Sequence, residues 1–259
     1  KVVVKIDKYS DGVNKAEGTI VEIIGGIDEA GVDMMSLIKE YKLPNEFPEN
    51  VLAEARAIPQ VIDEKNIEKR VDLRNEEIFT IDGEDAKDLD DAVNVKKNDD
   101  GTYTLGVHIA DVSYYVKQDS KLDKEAVIRG TSIYMLGRVI PMLPRELSNG
   151  ICSLNAGEDR YTLSCSMEIN PKGKVVSSEV YKGIINVTER MNYHDVQKII
   201  DGTDKKVLKK YEPYIQNFKD MEELAKILKA RRIEEGYLNL DIPESQIDLD
   251  ENENIVGIF

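Results

Sequence analysis

The sequence predicts an α+β fold in which a short β-hairpin and a helical stretch precede a larger strand-rich body. Three observations lead there. Alternating β-branched runs open the chain and return from about residue 78 onward. Apolar residues at helical spacing are concentrated at about 32–58 and 193–235. A loop crowded with carboxylates lies between two of the strand candidates.

Residues 1–26 hold two β-branched runs, KVVVKID and EGTIVEII, joined by a polar Asp11-Gly12 loop and closed by Gly25-Gly26, as the end of a small β-barrel would be. From Gly31 the spacing changes: Met34, Leu37, Ile38 and Tyr41 share one helical face, and Pro44 stops it. A second helix is expected from about Pro48, an early-helix position that tolerates proline, through Val51, Leu52, Ala55 and Ile58 to Pro59. Residues 60–74 are charged and read as a linker.

The stretch Ile78–Val95, IFTIDGEDAKDLDDAVNV, is the one around which the rest of the chain is organised. Apolar β-branched residues enter and leave it, so Asp82, Asp88, Asp90 and Asp91 fall on a loop between two strand candidates. Glu84 and Asp85 add to the charge, with only Lys87 against it. Folding crowds these like charges, and a cation relieves the repulsion. Oxygen-only donors at this density suit Mg²⁺ or Mn²⁺ rather than zinc. Extended, the ten residues would span on the order of 30 Å, so the loop folds back, and Gly83 is the residue best able to turn it. Spacing alone leaves two readings open, a solvated acidic turn and a metal site. A calcium loop fits neither here nor at Asp248, Asp250, Asn252 and Asn254, where Glu253 replaces the required glycine and Phe259 the closing glutamate.

Beyond the loop, Asn98-Asp99-Asp100-Gly101 composes a hairpin turn and 102–110 a returning strand. Asp119 or Ser120 caps a helix over 122–129 that ends at Gly130. Strands are expected over 160–169 and 174–187, helices over about 193–200 and 213–235, and a terminal hairpin in IDLDENENIVGIF. His108, in an alternating strand, reads as a packed, hydrogen-bonded histidine. Arg145 and Arg160 suit either phosphate or ion pairs with Glu146 and Asp159.

Composition describes a globular chain: 41% hydrophobic and 33% charged residues over 259 positions. No apolar run approaches the roughly 18 residues of a membrane span, and no signal peptide is visible, so membrane partners are not expected. Cys152 and Cys165 in apolar or small-residue surroundings read as buried free thiols of a reducing cytoplasm. A net charge of −15 disfavours tight RNA binding by this chain on its own.

Four blocks together resemble the ribonuclease II/R family: TIDGEDAKDLDDAV, GVHIADVSYYV, RVIPMLPRELSNGICSLN and DRYTLSCSMEI. Their order and near-gapless spacing are similar to its ribonuclease R branch. The resemblance implies an RNB-type catalytic domain, here its N-terminal part over 74–259, after a helical connector at 27–73 and the last strands of a cold-shock or OB-type barrel at 1–26. It implies a 3′-to-5′ exoribonuclease that hydrolyses RNA processively to nucleoside 5′-monophosphates with Mg²⁺, or Mn²⁺ in its place. Carried over by position, Asp82, Asp88 and Asp91 anchor metal and Asp90 serves the catalytic metal and the attacking water. Tyr134 and Tyr193 match aromatics that stack on bases near the RNA 3′ end. Tyr114 stands where the family commonly has histidine. A later family block, roughly T-S-P-I-R-R-Y, and an active-site arginine after it do not occur before Phe259. The expectation is therefore a truncated piece, inactive alone and prone to self-association, whose intact form acts on single-stranded RNA 3′ ends. Two rivals remain: a Mg²⁺-dependent phosphatase or endonuclease on another fold, and a non-catalytic acidic interaction module with a structural ion.

Overall fold

A computed structural model describes residues 1–238, 240, 242–243, 245, 247–250 and 255–258. In chain order the elements are β1 (Val2–Lys8), β2 (Glu17–Ile23), α1 (Val32–Glu40), α2 (Glu49–Arg56), β3 (Val71–Asp72), β4 (Phe79–Asp82), β5 (Asp91–Lys97), β6 (Tyr103–Ala110), α3 (Val112–Tyr115) and α4 (Lys121–Arg129). They continue with β7 (Ile133–Met135), β8 (Arg138–Ile140), β9 (Asp159–Ile169), β10 (Val175–Asn186), β11 (Glu189–Asn192), α5 (Tyr193–Asp201), α6 (Lys205–Lys210), α7 (Ile215–Glu234), β12 (Ile247–Leu249) and β13 (Ile255–Ile258). The chain divides into two compact units: Lys1–Glu49 with Glu125–Met142 and Asp241–Phe259, and Asn50–Lys124 with Leu143–Leu240. Among the described residues no helix is long and apolar enough to cross a membrane.

Among the described residues the first unit contains three antiparallel strand pairs, β1–β2, β7–β8 and β12–β13. In α1 the buried residues are Val32 and Ile38, while Leu37 and Tyr41 of the expected apolar face are exposed. The inward stripe is therefore rotated from the one that spacing gives. A buried arginine that the sequence does not advertise ties this unit together. Arg129 pairs with Glu125 at 2.9 Å, donates to the carbonyls of Glu46 and Pro141, and lies 3.5 Å over the Phe47 ring. Of the candidate calcium ligands near the C-terminus, Asn252 and Asn254 lie outside the described residues.

The second unit is built on a seven-stranded mixed sheet in the order β11-β4-β5-β6-β9-β10-β3. Its centre is an antiparallel meander, and its two outer pairs, β11 with β4 and β10 with β3, are parallel. On one side Phe79, Met191, Ile199, Tyr211 and Phe218 form a core, Phe79 meeting Phe218 and Tyr214 at 5.0 and 5.2 Å between ring centres. A second cluster, Val95, Tyr103, Ile169 and Leu224 of α7, adjoins it through Met221, which packs against both. In the sheet, His108 is buried with Nδ1 2.8 Å from Ser164 Oγ and Nε2 3.2 Å from Asn94 Oδ1, as expected of a packed histidine. Burial brings its pKa down to about 4. Gly106 stands beside it because a Cβ there would lie 1.9 Å from Asn94 Oδ1. Cys152 is buried, Cys165 half-buried, and neither forms a disulfide.

Residues 60–74 are not a linker. They form a 3₁₀ turn, Glu64–Lys69, and then β3, with Arg70 between them. The Arg70 guanidinium pairs with Asp111 at 2.6 Å, both side chains buried, and donates to the carbonyls of Thr162 and Gly183. It also lies 4.0 Å over the Tyr161 ring and 5.2 Å from that of Tyr114. A charged stretch looks solvated in sequence, but here one of its charges is neutralised, hydrogen-bonded and stacked, which is what burial of a charge requires. Removing one partner of such a pair strands the other. Arg70→Ala is expected to lower unfolding free energy by about 3 kcal/mol or more, measured by denaturant titration; a loss below about 1 kcal/mol, the range of an exposed pair, would contradict the role given to Arg70.

Candidate active site

The acidic loop exists because two neighbouring strands part. β4 and β5 share one residue pair, Phe79 with Val93, and residues 83–90 fill the opening between Asp82, at the end of β4, and Asp91, at the start of β5. Sheet register fixes both ends: Asp82 is level with Asn192 of β11 and Asp91 with Ile109 of β6. The turn comes at Glu84 and Asp85, closed by the Ala86 amide on the Gly83 carbonyl at 3.2 Å. Gly83 is not among the glycines with positive φ, so its backbone freedom is not what turns the loop.

Two residues that the sequence reading did not single out hold this loop. The Arg190 guanidinium, on β11, donates to the carbonyls of Glu84 and Ala86 at 2.7 and 2.6 Å and reaches that of Gly83 at 3.4 Å. Ser153 binds the backbone at Lys87 and Leu89. Ser153 lies in the block RVIPMLPRELSNGICSLN that resembles the family; Arg190 lies outside the four blocks, shortly before Tyr193.

Electrostatics mark the loop as strained by charge. Burial first, and then the Asp91 carboxylate, raise the Asp82 carboxyl above the ordinary range; Arg190 offsets part of this, and Asp90 and Asp88 add to it. Surrounding protein and then Asp88 and Asp91 raise Asp90 in the same direction. The four aspartates thus act on one another through space. Among the described residues, however, no group of three or more His, Cys, Asp or Glu side chains is gathered closely enough to hold a metal ion. The donor chemistry fits Mg²⁺ or Mn²⁺, being all hard, anionic oxygen whose repulsion Arg190 offsets in part at Asp82.

The aromatic candidates separate. Tyr193 is the first residue of α5, exposed at 62%, directly after the residue level with Asp82; Asn192 caps that helix by accepting from the Asp195 amide at 2.8 Å. Tyr134, on β7 opposite Val139, belongs to the other unit and is exposed at 66%. Arg160 is no phosphate ligand in this structure. It is buried, pairs with Glu158, and donates to the carbonyls of Ser153, Asp159 and Gly150. The expected partners are taken elsewhere, Glu146 by Arg56 and Asp159 by Arg74. Tyr114 packs edge-on against Tyr161.

The sign of the Asp82 effect is testable. A carboxyl raised above its ordinary pKa costs stability when ionised, so the cost is present above the folded-state pKa and disappears as pH falls below the ordinary carboxylate range. At neutral pH with chelator, Asp82→Asn is expected to raise stability by on the order of 0.5 kcal/mol, and in millimolar Mg²⁺ the wild-type chain is expected to gain more than the variant. Thermal melts of both proteins in both buffers check it; equal melting temperatures throughout would remove the repulsion.

The described geometry matches known proteins. The RNB domain family model matches residues 70–259, and a cold shock domain model matches residues 1–48. Ribonuclease R 1 of Lactococcus lactis is 48% identical over 235 residues, 91% of this chain and 29% of the relative. Ribonuclease R of Thermotoga maritima is 46% identical over 261 residues, 100% of this chain and 36% of the relative. The chain therefore spans about a third of the length of these curated relatives. Among solved structures, Mycoplasma genitalium RNase R in complex with double-stranded RNA superposes with a TM-score of 0.90 at 28% identity, over 99% of this chain and 45% of that one. Yeast Ssd1, a pseudonuclease, shares the fold with a TM-score of 0.65 at 21% identity, over 89% of this chain and 28% of that one. With a family model covering most of its length and its acidic loop inside that match, the chain belongs to the RNB domain family.

Proposed function

We propose that this chain is the catalytic-loop-bearing part of a 3′-to-5′ exoribonuclease that hydrolyses single-stranded RNA processively to nucleoside 5′-monophosphates in the cytoplasm, with Mg²⁺ as cofactor and Mn²⁺ able to replace it. The observation that carries the reading is the set of four aspartates in one clamped loop within the RNB match, two of them raised by burial and then by their neighbours. Ribonuclease R relatives and RNA-bound solved neighbours support RNA as the substrate. In this reading residues 1–26 end a cold-shock barrel, 27–73 lead from it to the catalytic domain and supply Arg70 and β3 to its sheet, and 74–259 belong to the catalytic domain.

Asp82, Asp88 and Asp91 hold the cation, and Asp90 serves both the catalytic cation and the attacking water. When bound, a divalent ion supplies activation of water and stabilisation of charge at the scissile phosphate. Tyr193 and Tyr134 offer π faces to the last bases, a contact that suits an enzyme indifferent to sequence because every base stacks. Arg190 keeps the loop in place by binding its backbone carbonyls.

In the full-length protein, Asp90→Asn is expected to lower release of 5′-monophosphates from labelled single-stranded RNA by about 10³-fold, with RNA affinity within a few-fold of wild type, since phosphate contacts elsewhere are untouched. Product analysis separates the rivals: internal fragments from the wild type would indicate an endonuclease, and Mn²⁺ binding without any cleavage an acidic interaction module.

Tyr134→Ala is expected to leave Mn²⁺ binding intact and to change the length of the final RNA product, because stacking holds the 3′ end rather than breaking the bond. An unchanged product ladder on a denaturing gel would remove Tyr134 from the site.

A further inference from the structure

We infer that Ser153 is a positioning residue for the acidic loop, fixing the spacing of Asp88 and Asp90 and thereby the affinity for a divalent cation. The inference rests on the reading of the loop as a cation site. Ser153 is 0% exposed, although its side chain is polar and it lies between sheet elements rather than in one. Its hydroxyl accepts a hydrogen bond from the Leu89 amide at 3.1 Å and donates to the Lys87 carbonyl at 2.9 Å. The next amide, that of Leu154, donates to the Leu89 carbonyl at 2.9 Å. Two successive residues thus occupy three backbone groups around Asp88. One residue further on, the Asp90 carbonyl accepts from the Ala110 amide at 3.0 Å.

Side-chain placement follows from these ties. Leu89 is buried, and its neighbours on either side are the half-buried Asp88 and the exposed Asp90. An anchor at Leu89 therefore sets how far apart the two carboxylates stand. Ser153 is itself held: its carbonyl accepts from the buried Arg160 Nε at 2.8 Å, and the same guanidinium reaches the Gly150 carbonyl at 3.3 Å. Arg190 holds residues 83, 84 and 86, so losing the serine hydroxyl loosens the other half of the loop, leaving Leu89 and Asp90 to the backbone bonds from Leu154 and Ala110. In the interior, Ser153→Ala also leaves the Lys87 carbonyl and Leu89 amide without that partner, and the loop is expected to shift until they are hydrated or paired.

The test measures Mn²⁺ binding to the whole chain by calorimetry and by the loss of the free-ion electron spin resonance signal. It uses wild type, Ser153→Ala, Ser153→Cys, Asp90→Asn and, as a core control remote from the loop, Leu224→Ala. Ser153→Ala is expected to weaken Mn²⁺ binding by about tenfold or more, as loss of an outer-shell partner typically does. Ser153→Cys, whose sulfur is a poorer hydrogen-bonding group, is expected to fall between. Leu224→Ala should lower the melting temperature and leave Mn²⁺ affinity unchanged. Affinity of Ser153→Ala within about twofold of wild type, or an equal loss in Leu224→Ala, overturns the inference alone. If Ser153→Ala does not fold, wild-type affinity in Ser153→Cys overturns it. Absence of Mn²⁺ binding by the wild type, or its full retention in Asp90→Asn, overturns the cation reading itself.

Discussion

Repulsion among carboxylates is the constraint around which the larger unit is arranged. Six acidic residues occupy the ten positions from Asp82 to Asp91, with Lys87 as the sole basic residue among them. Left to electrostatics, such a segment would straighten into solvent. It keeps its shape because groups from elsewhere in the unit grip its backbone: Arg190 on one limb, Ser153 and Leu154 on the other, and Ala110 at its end. The bonds named here are made on backbone carbonyls and amides. A loop held by its backbone fixes where its charge stands, which is what a site for a hard cation requires.

Much of this was legible in the sequence, and the parts that were not share a cause. Alternation and helical spacing located β5, β6, β9, β10, α5 and α7, because one-sided burial leaves a periodic trace. The acidic loop was legible because its composition is improbable between apolar strands. Arg70 and Arg129 were not: a buried charge looks like a surface charge until its partners arrive, and Asp111 lies 41 positions from Arg70. Ser153 and Arg190 escaped for the same reason, their partners being backbone groups 64 to 66 and 104 to 107 residues away. Short α6 leaves too few turns to show a period. In α1 the sequence offers more apolar residues than the core uses, so pattern alone found Ile38 but also counted in the exposed Leu37 and Tyr41.

The comparison with solved structures separates scaffold from chemistry. One overall arrangement serves ribonuclease R of Mycoplasma genitalium and, at lower identity, the pseudonuclease Ssd1 of yeast. The fold therefore carries no activity by itself, and any functional reading must stand on residues in the loop and on what fixes them. Arg70 belongs to the scaffold side of that division. Its pair with Asp111, its two carbonyl contacts and its tyrosine stack connect the chain before the loop to β9 and β10.

The line of side chains across the sheet centre has a direction. Asn94 Oδ1, an acceptor, faces His108 Nε2, which places the imidazole proton on that nitrogen and leaves Nδ1 to accept from the Ser164 hydroxyl. With its proton spent on the histidine, Ser164 Oγ can only accept from Thr162 Oγ1, 2.9 Å away. Thr162, Ser164, His108 and Asn94 then all donate or accept in one sense, from β9 through β6 to β5. A second proton on the imidazole cannot be added at one point of this line. It would have to turn the Ser164 hydroxyl around and set it against Thr162, so the sheet resists protonation of His108 as a unit rather than residue by residue.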